Sequence, residues 1–149
     1  MIWKISLICT VLLLALCTVT AGAVDLPKTE IKYITVSLDE YSTLKAAPVT
    51  GTIRQGETCV YTYQVPSGKS KLEVHLEWTA GTANDLSLRI CDPEQQTLGP
   101  YNDQFDGRSD HNIRVGVSKN PLPTGQWRVE IYGSLANGDE TFTGTLNAI

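Results

Sequence analysis

The chain has 149 residues, with 12 Lys and Arg against 16 Asp and Glu and a net charge of −4. That length suits one domain with a real core. Without a basic stripe, nucleic acid is excluded as a partner, because phosphate binding needs clustered Lys and Arg, and an anionic membrane surface is disfavoured for the same reason.

Lys4 precedes the mostly aliphatic stretch 5–16, and Ala21-Gly22-Ala23 then supplies the small-x-small pattern of a signal-peptidase site. Residues 1–23 therefore read as a signal peptide cut after Ala23, which directs the remainder to secretion or the cell surface. A retained anchor needs about 20 apolar residues to cross a bilayer, and this run is shorter, so no stable membrane span is expected after processing. A lipoprotein signal at Cys17 is disfavoured by the bulky Leu16 before it. Loss of Lys4 makes the mature chain one unit more negative.

Residues 24–48 form a polar lead-in with Pro27, followed by an edge strand in which Ile34, Val36 and Leu38 alternate with Thr35 and Ser37. The main domain spans 49–149. Val49 to Ile53 reads as a strand, turned at Gln55-Gly56 into Thr58 to Val65, which is rich in β-branched and aromatic residues and closed by Pro66-Ser67-Gly68. Leu72, Val74, Leu76 and Trp78 then share one face, with Glu73, His75 and Glu77 on the solvent face, the cleanest period-two pattern in the chain. Asn84-Asp85 leads into Leu86, Leu88 and Ile90, stopped at Asp92-Pro93. The stretch 94–110 is polar, with few apolar anchors, and reads as a long loop of the kind that carries function. Strands resume at Ile113, Val115, Val117, at Trp127, Val129, Ile131, and at Phe142 with Leu146. No long helical period occurs. Short strands punctuated by Gly and Pro predict an all-β antiparallel sandwich of jelly-roll type, with Trp78 and Trp127 as its largest buried side chains.

Cys9 and Cys17 leave with the leader, so the exported domain keeps Cys59 and Cys91. An even pair in an oxidising compartment predicts a disulfide, contributing about 3 to 4 kcal/mol in the chain-entropy model. Strand parity complicates it. Cys59 shares a face with Tyr61 and Tyr63, whereas Cys91 falls out of phase with Leu86, Leu88 and Ile90, so the bridge needs a bulge or a strand end.

The motifs fall in a telling order: Gly51-Thr52-Ile53 to Gln55-Gly56-Glu57; a Tyr-bearing strand ending Val65-Pro66-Ser67-Gly68; Leu72 to Trp78; Asn84 to Leu88; Asp92-Pro93; Gly125 to Val129; and Tyr132-Gly133. Over about residues 50–146 this order resembles the bacterial and archaeal pre-peptidase C-terminal (PPC) domain. The resemblance implies a non-catalytic jelly roll found on secreted proteases and other exported proteins, often binding calcium. Members usually follow a peptidase domain; here the segment before the module is too short to be one, which implies a free-standing module.

Asp103, Asp106 and Asp110, with Asn102, crowd oxygen donors into one segment, and Asp85 can join them at a strand end. Six to eight such oxygens suit Ca²⁺, as a structural ion, although the EF-hand spacing is absent; the same residues also serve plain turns. Tyr101, Phe105 and Tyr132 are candidate ligand-binding rings for a sugar face, or caps on the sandwich. Glu73, His75 and Glu77 resemble a metal set less than a solvated strand face. Neither His75 nor His111 sits in a catalytic motif, and Gly-x-Ser-x-Gly, His-Glu-x-x-His and phosphate-cradling loops are missing. The sequence thus predicts a non-catalytic accessory module that binds an extracellular protein or polysaccharide. A carbohydrate-binding module is the first alternative and a small secreted hydrolase the second.

Overall fold

The computed structural model describes residues 34–37, 47–79 and 83–149; the leader and most of the lead-in lie outside the described residues. Among the described residues nine strands follow in order: β1 Ile34–Ser37, β2 Ala47–Ile53, β3 Thr58–Val65, β4 Lys71–Trp78, β5 Asp85–Cys91, β6 Thr97–Asn102, β7 Asn112–Ser118, β8 Gly125–Leu135 and β9 Glu140–Ala148. All pairings are antiparallel. One sheet has the order β1-β7-β4-β9-β2 and the other β3-β8-β5-β6. Within these sheets β2 lies beside β9, β3 beside β8, β4 beside β7 and β5 beside β6. That nesting is a long hairpin rolled up on itself, which is the jelly-roll topology.

Period-two alternation explains the layering. Leu72, Val74, Leu76 and Trp78 of β4 point inward, as do Leu86, Leu88 and Ile90 of β5 and Trp127, Val129 and Ile131 of β8, and together they form one core between the sheets. Trp127 is fully buried and its indole N–H donates to the Pro123 carbonyl at 2.9 Å, so the core gains its area without stranding a donor. Trp78 meets the same need through the Asn84 carbonyl at 3.1 Å.

Two sequence expectations need correction. The stretch 94–110 is not a continuous loop: it holds β6 and a 3₁₀ turn, Asp103–Asp106. In β6, Leu98 lies opposite Ile90 and Tyr101 opposite Leu88, so Gly99 and Pro100 on one strand face Arg89 alone on the other. This bulge puts the two inward residues three apart rather than two, which erases the alternation by which a strand is recognised. The second correction is Glu73, expected in solvent but only 3% exposed; the Lys71 ammonium meets its Oε1 at 2.8 Å.

Candidate functional site

At one end of the sandwich, two chain segments face each other across an open polar cleft of about 430 Å³. Ala83, Asn84 and Asp85 enter β5 on one side, and Asn102, Asp103, Gln104, Ser109 and His111 span the β6–β7 connection on the other.

The second wall is built by its own turn chemistry. Asp103 Oδ1 accepts the backbone N–H groups of Asp110 at 3.2 Å and Asn112 at 3.0 Å, which folds 103–112 into a closed loop. Asp106 Oδ1 accepts the Arg108 N–H at 2.9 Å, and Gly107 leaves the 3₁₀ turn in the left-handed conformation with φ of 84°. His111 also has a positive φ, 60°, which is costly for a residue with a Cβ. Its place is fixed on both sides: the Trp78 N–H donates to its carbonyl at 3.1 Å, and the two rings meet edge to face at 5.8 Å.

The opposite wall is held from below. Glu140, 2% exposed, accepts the Thr79 N–H at 3.0 Å and the Asn84 side-chain amide. Asn84 Oδ1 in turn accepts the Asn137 N–H at 2.8 Å. Burial alone would push the Glu140 carboxyl up, but the bonds from Asn84 and Thr79, aided by His111, outweigh it and hold the group below its ordinary value. Sequence reading passed over this residue. Its signal was present: Glu140 shares parity with Phe142, Gly144 and Leu146, a carboxylate in phase with a core face.

Of the five oxygen residues expected to share a cation, Asp85, Asn102 and Asp103 line the cleft, whereas Asp106 and Asp110 do not. Burial, and then the charge of Asp103, raise the Asp85 carboxyl above its ordinary value, and Asp85 Oδ1 is shut from solvent without a hydrogen-bond partner. A cation between the two carboxylates would relieve both conditions, so the donor set fits a hard ion in kind. In number it is sparse, since no group of three or more His, Cys, Asp or Glu among the described residues is placed to hold a metal.

The three candidate aromatic rings do not make one platform. Tyr101 is buried in the core with Phe105 edge-on above it, their centroids 4.7 Å apart. Tyr132 points the other way, opposite Ser87 on the outer face of its sheet. It is 43% exposed and borders a hollow of about 210 Å³ with Thr58, Ser87, Arg89 and Glu130.

Cys59 and Cys91 are free thiols, so the expected bridge is not made. β8 runs between their strands: Cys59 is opposite Ile131 and Cys91 opposite Arg128. Two interstrand spacings exceed the reach of a disulfide, and the parity mismatch sets the two on different faces. Burial, and then Glu57, push the Cys59 thiol up, away from nucleophilic chemistry. Glu73, His75 and Glu77 likewise do not converge on a metal: besides Glu73 with Lys71, His75 Nε2 meets Asn112 Oδ1 at 2.7 Å and Glu77 accepts the Thr143 hydroxyl at 2.9 Å.

With this geometry in place, similarity to solved structures is informative about architecture. The chain is similar to part of the CspB protease of Clostridium perfringens, with a TM-score of 0.51 at 12% identity over 66% of this chain and 24% of that one. The likeness is one of fold. The chain spans about a quarter of that protease. PliG, a periplasmic inhibitor of g-type lysozyme, gives lower scores: 0.43 for the Aeromonas hydrophila protein, 14% identical over 70% of this chain and 86% of that one, and 0.42 for the Salmonella Typhimurium protein, 14% identical over 73% and 95%. No protein-family model matches the sequence, and no curated protein does.

Proposed function

We propose that this chain is an exported, non-catalytic jelly-roll module that takes its ligand, an extracellular protein or polysaccharide, in the polar cleft between residues 83–85 and 102–111. The observation that carries this reading is the cleft's construction. Side chains rich in amide, hydroxyl and carboxylate groups face a common space, while turn bonds from Asp103 and the Glu140 clamp fix the walls before any ligand arrives. The ordered motifs that resemble the PPC domain support a free-standing, non-catalytic accessory or binding module. In this reading calcium, where bound, is held by Asp85 and Asp103 with the Asn102 amide oxygen, and its contribution is to rigidify the two walls rather than to supply chemistry.

A melting series in calcium tests the ion. A rise in Tm at millimolar calcium that disappears in Asp85→Asn supports it, and an unmoved Tm removes calcium from the reading. Turnover of a peptide, ester or glycoside substrate that is lost in His111→Ala would replace the whole reading by an enzyme.

A second reading rests on Tyr132, whose exposed ring stands beside Arg89 and Glu130 in a shallow hollow, as a sugar-stacking residue would. Retention on insoluble polysaccharide that is abolished by Tyr132→Ala would favour it over the cleft.

A further inference from the structure

Four strands end the two sheets, and three of them carry a recognised defence against recruiting a further strand. β1 is four residues long. β6 contains Pro100 beside its bulge, and β2 contains Pro48. β2 is also covered by its neighbour: the Tyr61 hydroxyl donates to the Thr50 carbonyl at 2.9 Å, and the Cys59 thiol reaches the Thr52 carbonyl at 3.8 Å.

β3 has no such defence. Its eight residues, Thr-Cys-Val-Tyr-Thr-Tyr-Gln-Val, include no proline, no glycine and no charge, and most are β-branched or aromatic. It pairs along its whole length with β8, and no strand among the described residues makes a backbone ladder with its other side; β2 is reached there only through the Tyr61 and Cys59 side chains. Its core-facing residues Cys59, Tyr61 and Tyr63 stay partly exposed along this edge, and Val60 is 53% exposed on the outer face. None of these residues lines the polar cleft.

We propose that β3 pairs with β3 of a second copy of this chain, antiparallel about a two-fold axis, so that the four-stranded sheets of two copies become one continuous sheet. Backbone N–H and C=O groups along a free edge are satisfied in kind by another extended strand. Charge selects the second copy as that strand. Antiparallel self-pairing sets each side chain against one from the same segment, so a charged edge repels itself; β3 is neutral in a chain of net charge −4. Register agrees. Placing Tyr61 opposite its symmetry mate sets Val60 opposite Thr62, Cys59 opposite Tyr63 and Thr58 opposite Gln64. Nearly the whole strand overlaps, core-facing residues stay with core-facing ones, and Val60 is covered.

Sedimentation velocity on the exported protein, from micromolar to millimolar concentration, tests this. The expected result is a monomer–dimer equilibrium that shifts to monomer in the double variant Val60→Lys, Thr62→Lys. Mixing that variant with Val60→Glu, Thr62→Glu should restore a dimer containing one of each, because the register sets residue 60 against residue 62. Amide exchange in β3 of the unaltered protein should slow as concentration rises, a readout independent of how the variants fold. A protein that stays monomeric throughout, or a lysine variant that dimerises as well as the unaltered chain, overturns the proposal.

Discussion

Asn84 donates its side-chain amide to the carboxylate of Glu140, 56 residues later in the chain, and the same asparagine accepts the backbone N–H of Asn137. With the Thr79 N–H on the other carboxylate oxygen, the buried Glu140 ties the β4–β5 connection to the β8–β9 connection beneath the cleft. Glu140→Ala leaves the half-buried Asn84 amide and the Thr79 N–H without their acceptor, and an expected loss of about 1 to 3 kcal/mol in urea unfolding follows, because water reaches these donors only in part. The sign of the pH effect follows from the depressed carboxyl. Stability from Glu140 is fully present above the ordinary glutamate range and is lost as pH falls through the lower folded-state value. Glu140→Gln should therefore flatten that part of the acid limb, and an unchanged acid profile would show that the clamp contributes nothing.

Gly133 owes its place in the chain to the backbone opposite. A Cβ there would lie 2.3 Å from the Arg54 carbonyl oxygen, while Gly133 exchanges backbone bonds with Gly56 at 2.9 Å and Glu57 at 3.1 Å. Because backbone rather than a flexible side chain blocks the space, Gly133→Ala should cost about 1 to 3 kcal/mol by overpacking. Gly138→Ala, with open space around it but a φ of 89°, separates conformational strain from collision. Its cost should stay near 1 kcal/mol, the left-handed penalty for an ordinary residue. If Gly133→Ala melts no lower than Gly138→Ala, the close approach is not what excludes a side chain.

The free thiols give a prediction independent of packing. Cys91 is buried beside the Arg128 guanidinium and the Thr97 hydroxyl, each at 3.5 Å, and Cys59 is half-buried. Melting curves with and without reductant should superimpose, and denaturation under non-reducing conditions should make the thiols of both Cys59 and Cys91 titratable. A Tm that drops on reduction would mean that the two cysteines are joined after all.

Much of the sandwich was readable because a strand with one side on a core must alternate, and β4, β5, β7 and β8 do so over most of their length, the bulge between β5 and β8 lying at their ends by Asp85 and Leu135. The failures share a cause: each depends on something beyond a single strand. β6 was hidden because the bulge opposite Arg89 spaces Leu98 and Tyr101 by three. Tyr101, offered as a ligand ring, is instead a core residue for the same reason. Asp103 and Asp106 were read for their oxygens, yet part of their capacity goes to the loop's own N–H groups. Parity warned against joining Cys59 to Cys91, and the insertion of β8 between them, a fact of topology, decided it. Nothing local marks Asn84 as more than the lead into β5, because its partner Glu140 lies 56 positions away.

Asp85 offers the sharpest test of the cleft. Burial raises its carboxyl first and the charge of Asp103 raises it further, against the opposing pull of the backbone N–H groups of Asp103 and Leu86. A carboxyl with a folded-state pKa above its unfolded one favours the fold at low pH and loses that contribution as pH rises through the folded value, so at neutral pH the charged form is a net cost. Asp85→Asn keeps the size and one acceptor oxygen while removing that cost, and Tm at pH 7 should rise by a few degrees at most. The gain should vanish below the ordinary aspartate range, where the unaltered side chain is itself neutral. A variant that melts lower at pH 7 would show that the carboxylate's hydrogen bonds outweigh its repulsion from Asp103, and the case for a cation between the two would lose its electrostatic basis.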